Sequence, residues 1–249
     1  MMKSLKEKAG KTIVMSESRV LARMVREYVG DTNVTHVVES GTFRGTGSTR
    51  MLASSFKDTA QPSRFITIEV NYVSWRAAVG NLIQTPFVRA VWGRTVSLQE
   101  ALRHIRTDEA ISSHMMYDDV YIDDIHQPMQ FYENELRGAL GGMPKAPYDR
   151  ARWVYDRLFH YQGDDLLQKY LCKYADCEPL VLLDSSGGIG LLEYTIMRKT
   201  LQGKRYSIIL DDIDHLKHFR SFNEISQDPH YAVHGVNADE GWVFASHNP

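Results

Sequence analysis

Apolar and polar residues follow two periods along this chain. Val20, Leu21, Met24, Val25 and Tyr28 recur at the spacing of one helix face, which predicts a helix from about Ser16 to Tyr28 with Ser16 or Ser18 as its N-cap. Short β-rich runs then alternate with helical stretches. Thr35 to Glu39, Phe65 to Val70 and Phe87 to Trp92 read as strands, and Ser48 to Phe56, Ser74 to Leu82 and Ser97 to Ile105 as the helices that come after them. Such alternation predicts a parallel sheet with helices on both faces.

The alternation stops from Arg106 to Pro179, a segment rich in Tyr, Asp, Met and His with breakers at Gly141-Gly142, Pro144 and Pro147. Only its last part, Asp164 to Tyr174, has helical spacing. An excursion of this length inside a regular fold is more often functional or oligomer-forming than filler. Sheet order resumes at Pro179 to Asp184, followed by a helix at Leu191 to Leu201, a strand at Tyr206 to Asp212 and a helix from about Ile213 to Ile225. Tyr231 to Val236 and Trp242 to Ser246, joined through Ala238-Asp239-Glu240-Gly241, close the chain as a β-hairpin.

Bulk properties narrow the classes. The 249 residues suffice for one large α/β domain with an insertion, and 43% hydrophobic with 24% charged residues describes an ordinary globule. A formal net charge of −2 gives no electrostatic case for nucleic acid as the main partner. No run approaches the roughly 20 apolar residues of a membrane helix. Met1 to Lys11 is basic but lacks an apolar core for a signal peptide, and the two cysteines, Cys172 and Cys177, read as free thiols. A cytoplasmic protein is expected.

The densest chemical signal lies at the first two strand ends. Glu39-Ser-Gly41-Thr42-Phe-Arg-Gly45-Thr-Gly47-Ser is a strand ending in an acid, then a glycine turn, then a helix start. Glycine suits a backbone that turns sharply and approaches a ligand closely, and a helix start offers free N–H groups. Glu69 ends the second strand, where a carboxylate can accept hydrogen bonds from ribose hydroxyls. Gly41, Gly45 and Gly47 do not follow the G-x-G-x-x-G spacing that seats a dinucleotide pyrophosphate. The looser spacing favours a cofactor without pyrophosphate, such as S-adenosylmethionine (SAM), over NAD.

Five βα units closed by an antiparallel hairpin, with this glycine turn and Glu69, resemble the class I SAM-dependent methyltransferases. Within them the chain is most similar to metal-dependent small-molecule O-methyltransferases of the catechol and macrolide-sugar type. The resemblance covers most of the chain outside residues 106–179. It implies a single domain, residues 1–249, with a Rossmann-like, doubly wound, mostly parallel seven-stranded sheet, a terminal antiparallel hairpin, and an insertion before strand four. It implies SAM contacts from Glu39, Gly41, Thr42, Gly45, Gly47 and Glu69. It also implies contacts from Gly93 and Thr95 after strand three, where Arg94 replaces the usual acid, and from Asp184.

Asp184 ends the fourth strand and Asp211-Asp212 the fifth, so all three carboxylates face one crevice. Their mutual repulsion calls for a cation, and hard oxygen ligands suit Mg²⁺. The resemblance implies the same ion, binding a substrate hydroxyl and lowering its pKa. The simpler alternative is that Asp211 and Asp212 stabilise a helix N-terminus and that Asp184-Ser185-Ser186 caps a turn. Metal-dependent relatives often carry a lysine or histidine three residues after the strand-four acid, where this chain has Gly187. His215 and His218, on a helix starting at the acidic pair, share its face and are the substitute bases. The alternative for each is a solvated helix-face histidine.

Tyr117 to His126 mimics a strand-four signature, but making it strand four leaves one strand too many, so it reads as insertion. Its acids fit a solvated face, while Asp123, Asp124 and His126 could reach the site. Phe131, Tyr132, Tyr148, Trp153, Tyr155, Phe159 and Tyr161 could wall a pocket for a flat or sugar-like acceptor, pack a lid, or form a homo-oligomer contact. The resulting expectation is methyl transfer from SAM to a small-molecule hydroxyl with Mg²⁺, with no nucleic-acid or membrane partner. A metal-free methyltransferase acting on another atom, or a hydroxylase-like or silent relative on the same scaffold, are the competitors.

Overall fold

A computed structural model describes residues 15–32, 34–56, 64–113, 117, 119–185 and 187–249. The basic stretch Met1–Lys11, Asp118 and Ser186 lie outside them. Seven strands form one sheet: β1 (His36–Ser40), β2 (Arg64–Glu69), β3 (Val88–Trp92), β4 (Leu180–Leu183), β5 (Tyr206–Leu210), β6 (Tyr231–Asn237) and β7 (Trp242–His247). Their order is β3-β2-β1-β4-β5-β7-β6. The first five are parallel, and β7 pairs antiparallel with both β5 and β6. This is the Rossmann-like doubly wound sheet with a terminal hairpin that the family resemblance implies, and its five parallel strands are those the alternation predicts.

Strand residues alternate between two apolar layers, so both faces are covered. Val37, Leu180, Leu182, Ile209 and Phe244 pack with α1 (Arg19–Asp31), α2 (Ser48–Ser55) and α3 (Tyr72–Asn81). Val38, Val181, Leu183, Ile208 and Leu210 pack on the other face with α8 (Leu166–Tyr174), α9 (Gly190–Thr200) and α10 (Phe219–Gln227). Continuous apolar strands are what a parallel sheet buried on both faces requires. Ser18 caps α1, its Oγ accepting from the Leu21 N–H, and Asn71 caps α3 through the N–H groups of Val73 and Ser74.

The segment between β3 and β4 carries more order than its sequence suggested. Besides α4 (Leu98–Thr107), it holds α5 (Glu109–Ser112), α6 (Pro128–Gly138) and α7 (Pro147–Phe159) before α8. Pro128 and Pro147 open their helices at the first turn, where a missing N–H costs nothing. Ala101, Ile105, Ile111 and Tyr132 build a small separate core with Leu216 and Phe219, just beyond the C-terminal edge of the sheet. Helix α8, the last element of the excursion, belongs to the sheet layer, with Leu167, Tyr170 and Leu171 buried in it. Among the described residues no helix is long and apolar enough to cross a membrane.

The fifth strand and the helix after it differ from expectation. The strand ends at Leu210, and the next helix starts at Phe219 instead of Ile213. Residues 211–218 form turns, with Asp212 in the left-handed region at φ 52°. The helical register that would have put His215 and His218 beside the acidic pair is therefore absent.

Chain segments after β1 and β4 come into close contact. Gly41 has φ 84°, and a Cβ there would lie 2.0 Å from the Asp184 carbonyl oxygen. Gly41→Ala should therefore lower the unfolding free energy by more than about 2 kcal/mol, combining left-handed strain with this clash. Urea denaturation measures it, and an unchanged midpoint would mean that the two segments do not touch.

Candidate active site

A cavity of about 460 Å³ opens at the C-terminal edge of the sheet, within the size range of small-molecule sites. Gly41 and Phe43 from the turn after β1, Glu69 and Asn71 after β2, Gly93 to Val96 after β3, and Asp184 and Ser185 after β4 line it. Helices α4 and α6 cover it with Leu98, Ala101, Glu135 and Leu136. The position is the switch point of a doubly wound sheet, where neighbouring strands send their chains to opposite faces.

Of the residues expected at a cofactor, Gly41, Glu69, Gly93, Thr95 and Asp184 stand on the wall of this cavity. Glu39, Thr42, Gly45 and Gly47 stand behind it and build the turn. Glu39 is fully buried; Ser48 Oγ and Thr49 Oγ1 each donate to it at 2.7 Å, tying β1 to the start of α2. Burial pushes its carboxyl up to about 7 despite these hydrogen bonds. Thr42 bonds Thr67 through their hydroxyls, and Gly47 is the N-cap residue of α2.

Glu69 faces the crevice. Its two oxygens accept from the Phe43 N–H at 2.6 Å and the Asn71 N–H at 2.7 Å, fixing the carboxylate between the turns after β1 and β2. Burial raises its pKa to about 7. Each carboxylate oxygen has two acceptor sites, so capacity for ligand hydroxyls remains. Arg94, which departs from the expected pattern, is held by Asp164 at 3.5 Å and Tyr161 at 3.4 Å. It fastens the segment before α8 to the end of β3.

The acidic end of the crevice holds Asp184, Asp211 and Asp212, whose carboxylates offer oxygens within 4.8 Å of one another. That spacing suits a shared cation, and the structure supplies one that the sequence reading missed. Lys217 Nζ lies 3.1 Å from Asp184 Oδ1 and 3.1 Å from Asp212 Oδ2, and donates to the Ser185 carbonyl at 3.3 Å. Burial raises the pKa values of Asp184 and, further, of Asp211, which also bonds Asp184; a proton shared between these two relieves part of the repulsion. The three carboxylates hold the Lys217 ammonium firmly charged despite its burial. The position three residues after the strand-four acid, where the resemblance places a lysine or histidine, holds Gly187, and the lysine arrives instead from the loop after β5. Its signal is the lone cation in Asp-Ile-Asp-His-Leu-Lys-His.

Neither histidine lines the cavity. His215 Nδ1 accepts from the Lys217 backbone N–H at 3.1 Å, so Nε2 carries the proton and faces Asp123 Oδ2 at 3.2 Å. Both nitrogens are engaged, and His215 ties the loop after β5 to residues 121–123 of the excursion. His218 is fully buried and held well below its ordinary pKa, chiefly by desolvation, as a packed neutral ring. Asp123, from the Tyr117–His126 run, is thus drawn to this end of the sheet. Asp124 caps its own turn through the His126 and Gln127 N–H groups.

No protein-family model matches the chain, and no curated protein does. Solved structures similar to it include an O-methyltransferase from Bacillus cereus in complex with SAH, 13% identical, with 93% of this chain and 82% of that chain covered at a TM-score of 0.47. Another is the O-methyltransferase TomG from Streptomyces achromogenes, involved in tomaymycin synthesis and in complex with SAM. It is 14% identical, with 92% and 78% covered at a TM-score of 0.45. Likeness at this level says nothing of what this chain binds or acts on.

Glu39 gives a pH-dependent outcome. With its folded pKa near 7 and an ordinary value of 4.5, the native chain holds a proton that the unfolded chain releases between those values. Stability from this group is full below about 4.5 and is lost as pH rises through 7. Glu39→Gln should flatten the fall in unfolding free energy between pH 5 and 8 by about 2 kcal/mol. Identical pH dependence in urea melts of the two proteins would contradict the buried placement.

Proposed function

We propose that this chain is a SAM-dependent methyltransferase acting on an oxygen of a small-molecule acceptor. The observation that carries the reading is Glu69: a carboxylate at the C-terminal end of β2, fixed by two backbone N–H groups, in the wall of the switch-point crevice. The whole chain is read as one domain, with residues 106–179 inserted before strand four and partly folded over the crevice.

Glu69 would accept from the ribose hydroxyls of the cofactor, with Gly41, Phe43 and Asn71 beside it and Gly93 to Val96 flanking the base. Bound SAM would supply a methyl group on a sulfonium: the C–S bond would break as the acceptor oxygen takes the methyl, and the hydroxyl proton would pass to a carboxylate oxygen of Asp184 or Asp212 at that end of the crevice. The protein's part is to hold both reactants in line and keep bulk water out, since proximity can supply much of the rate. Gly41 lets the backbone close on the crevice floor, and α6 covers the opening with Glu135 and Leu136, joined by Ala139 just past its end. Asp184 and Asp212, whose side chains are 24% and 33% exposed, mark the acceptor end. They offer hydrogen-bond acceptors to a hydroxyl, oriented by Lys217.

A second reading keeps Mg²⁺ on Asp184, Asp211 and Asp212, and the 4.8 Å spacing of their oxygens favours it. Lys217 stands against it. Octahedral Mg²⁺ requires oxygens at about 2.0–2.1 Å, and the ammonium already takes up two of the three carboxylates.

SAM and its demethylated product SAH should each raise the melting temperature, and NAD should not. Glu69→Ala should weaken SAH binding roughly 10- to 100-fold, the equivalent of about 1.5–3 kcal/mol for hydrogen bonds to a charged group. Isothermal titration calorimetry measures this. Stabilisation by NAD with none from SAH would overturn the assignment.

A further inference from the structure

Lys217 is 6% exposed, and its surroundings account for every proton it carries. An ammonium has three N–H donors and no acceptor. Asp184 Oδ1, Asp212 Oδ2 and the Ser185 carbonyl oxygen are three acceptors at 3.1–3.3 Å. No donor is left over for a substrate, so whatever Lys217 does, it does through the carboxylates it holds.

Its backbone is pinned as well. The Lys217 N–H donates to His215 Nδ1, whose other nitrogen faces Asp123. Leu216 donates to the Tyr121 carbonyl, and Tyr121 donates to the Asp214 carbonyl. On the opposite side α9 begins at Gly190, where a Cβ would lie 2.7 Å from the Lys217 carbonyl oxygen and 2.8 Å from its Cβ. The first residue of that helix thus has to be glycine for the loop to lie where it does. Withdrawing the ammonium would leave the carboxylates without their counter-charge and break a loop held from two sides. A divalent ion bound by the same oxygens would sit within a few ångströms of Nζ, against a like charge in a poorly solvated place.

We propose that Lys217 is the resident cation of the Asp184–Asp211–Asp212 cluster. It is a positioning residue whose ammonium takes the place a divalent ion would hold and excludes that ion. Resting on the methyltransferase reading above, the consequence is that methyl transfer by this chain needs no bound metal. The loop after β5 supplies in one side chain the charge that neutralises the acceptor end of the crevice. It also orients Asp184 and Asp212 toward it.

Mn²⁺ binding followed by electron paramagnetic resonance tests this directly, alongside SAH binding by calorimetry on the same samples. Wild-type protein should show no Mn²⁺ site in the micromolar range. Lys217→Met keeps the length of the side chain without its charge, and should bind Mn²⁺ at least tenfold more tightly. Adding Asp212→Asn to it should abolish that gain, which a merely structural role for Lys217 would not produce. Micromolar Mn²⁺ binding by wild type that Asp212→Asn removes would overturn the proposal. So would a folded Lys217→Met protein that binds no Mn²⁺. If Lys217→Met does not fold, the wild-type measurement alone decides between the two. Failure of SAH to bind would count against the methyltransferase reading while leaving the Mn²⁺ result to judge Lys217.

Discussion

The contact between Gly41 and the carbonyl of Asp184 is the constraint on which the site depends. β1 and β4 are hydrogen-bonded neighbours, yet α2 after β1 and α9 after β4 pack on opposite faces of the sheet. The two segments therefore diverge at their C-terminal ends and open a crevice, and its floor is the place where they still touch. Gly41 is held by the Ile68 carbonyl, and the Asp184 N–H by the Ser40 carbonyl, so β2, β1 and β4 are locked in register just below the cavity. A side chain at Gly41 would push these strand ends apart and move Glu69 and Asp184 relative to each other.

Directly beneath that floor lie carboxylates whose side-chain partners are hydroxyl groups. Glu39 takes Ser48 and Thr49, and Glu193 takes Ser40 at 2.9 Å and Ser185 at 2.7 Å. Burial raises the pKa of both, because hydroxyl donors offset only part of the cost of desolvating a charge. The Asp184–Asp211–Asp212 cluster differs: three acids on two adjacent strand ends cannot be served by hydroxyls alone. There the chain places a full positive charge. The contrast separates acids that brace the scaffold from acids that form the working end of the crevice.

Much of the fold was legible because both faces of the sheet are buried. Uninterrupted runs such as Leu180–Leu183 and Tyr206–Leu210 can hardly be read otherwise. Helices α6 and α7 escaped because Pro147 looked like a breaker when it opens a helix, because α6 packs against a small core outside the sheet, and because most apolar residues of α7 are exposed. Glu69 at its strand end was readable from position alone. Lys217 was not. Its place depends on the left-handed turn at Asp212 and on the close approach of Gly190, neither of which has a local sequence period. The same turn breaks the helical register that would have aligned His215 and His218 with the acidic pair.

A crystal structure of the protein with SAH tests the central claim most directly, because it asks whether the crevice above the Gly41–Asp184 contact is where the cofactor lies. The account requires both ribose hydroxyls within hydrogen-bonding distance of Glu69 and the sulfur directed toward the Asp184 and Asp212 end. SAH bound elsewhere on the chain, or bound with its ribose away from Glu69, would contradict it.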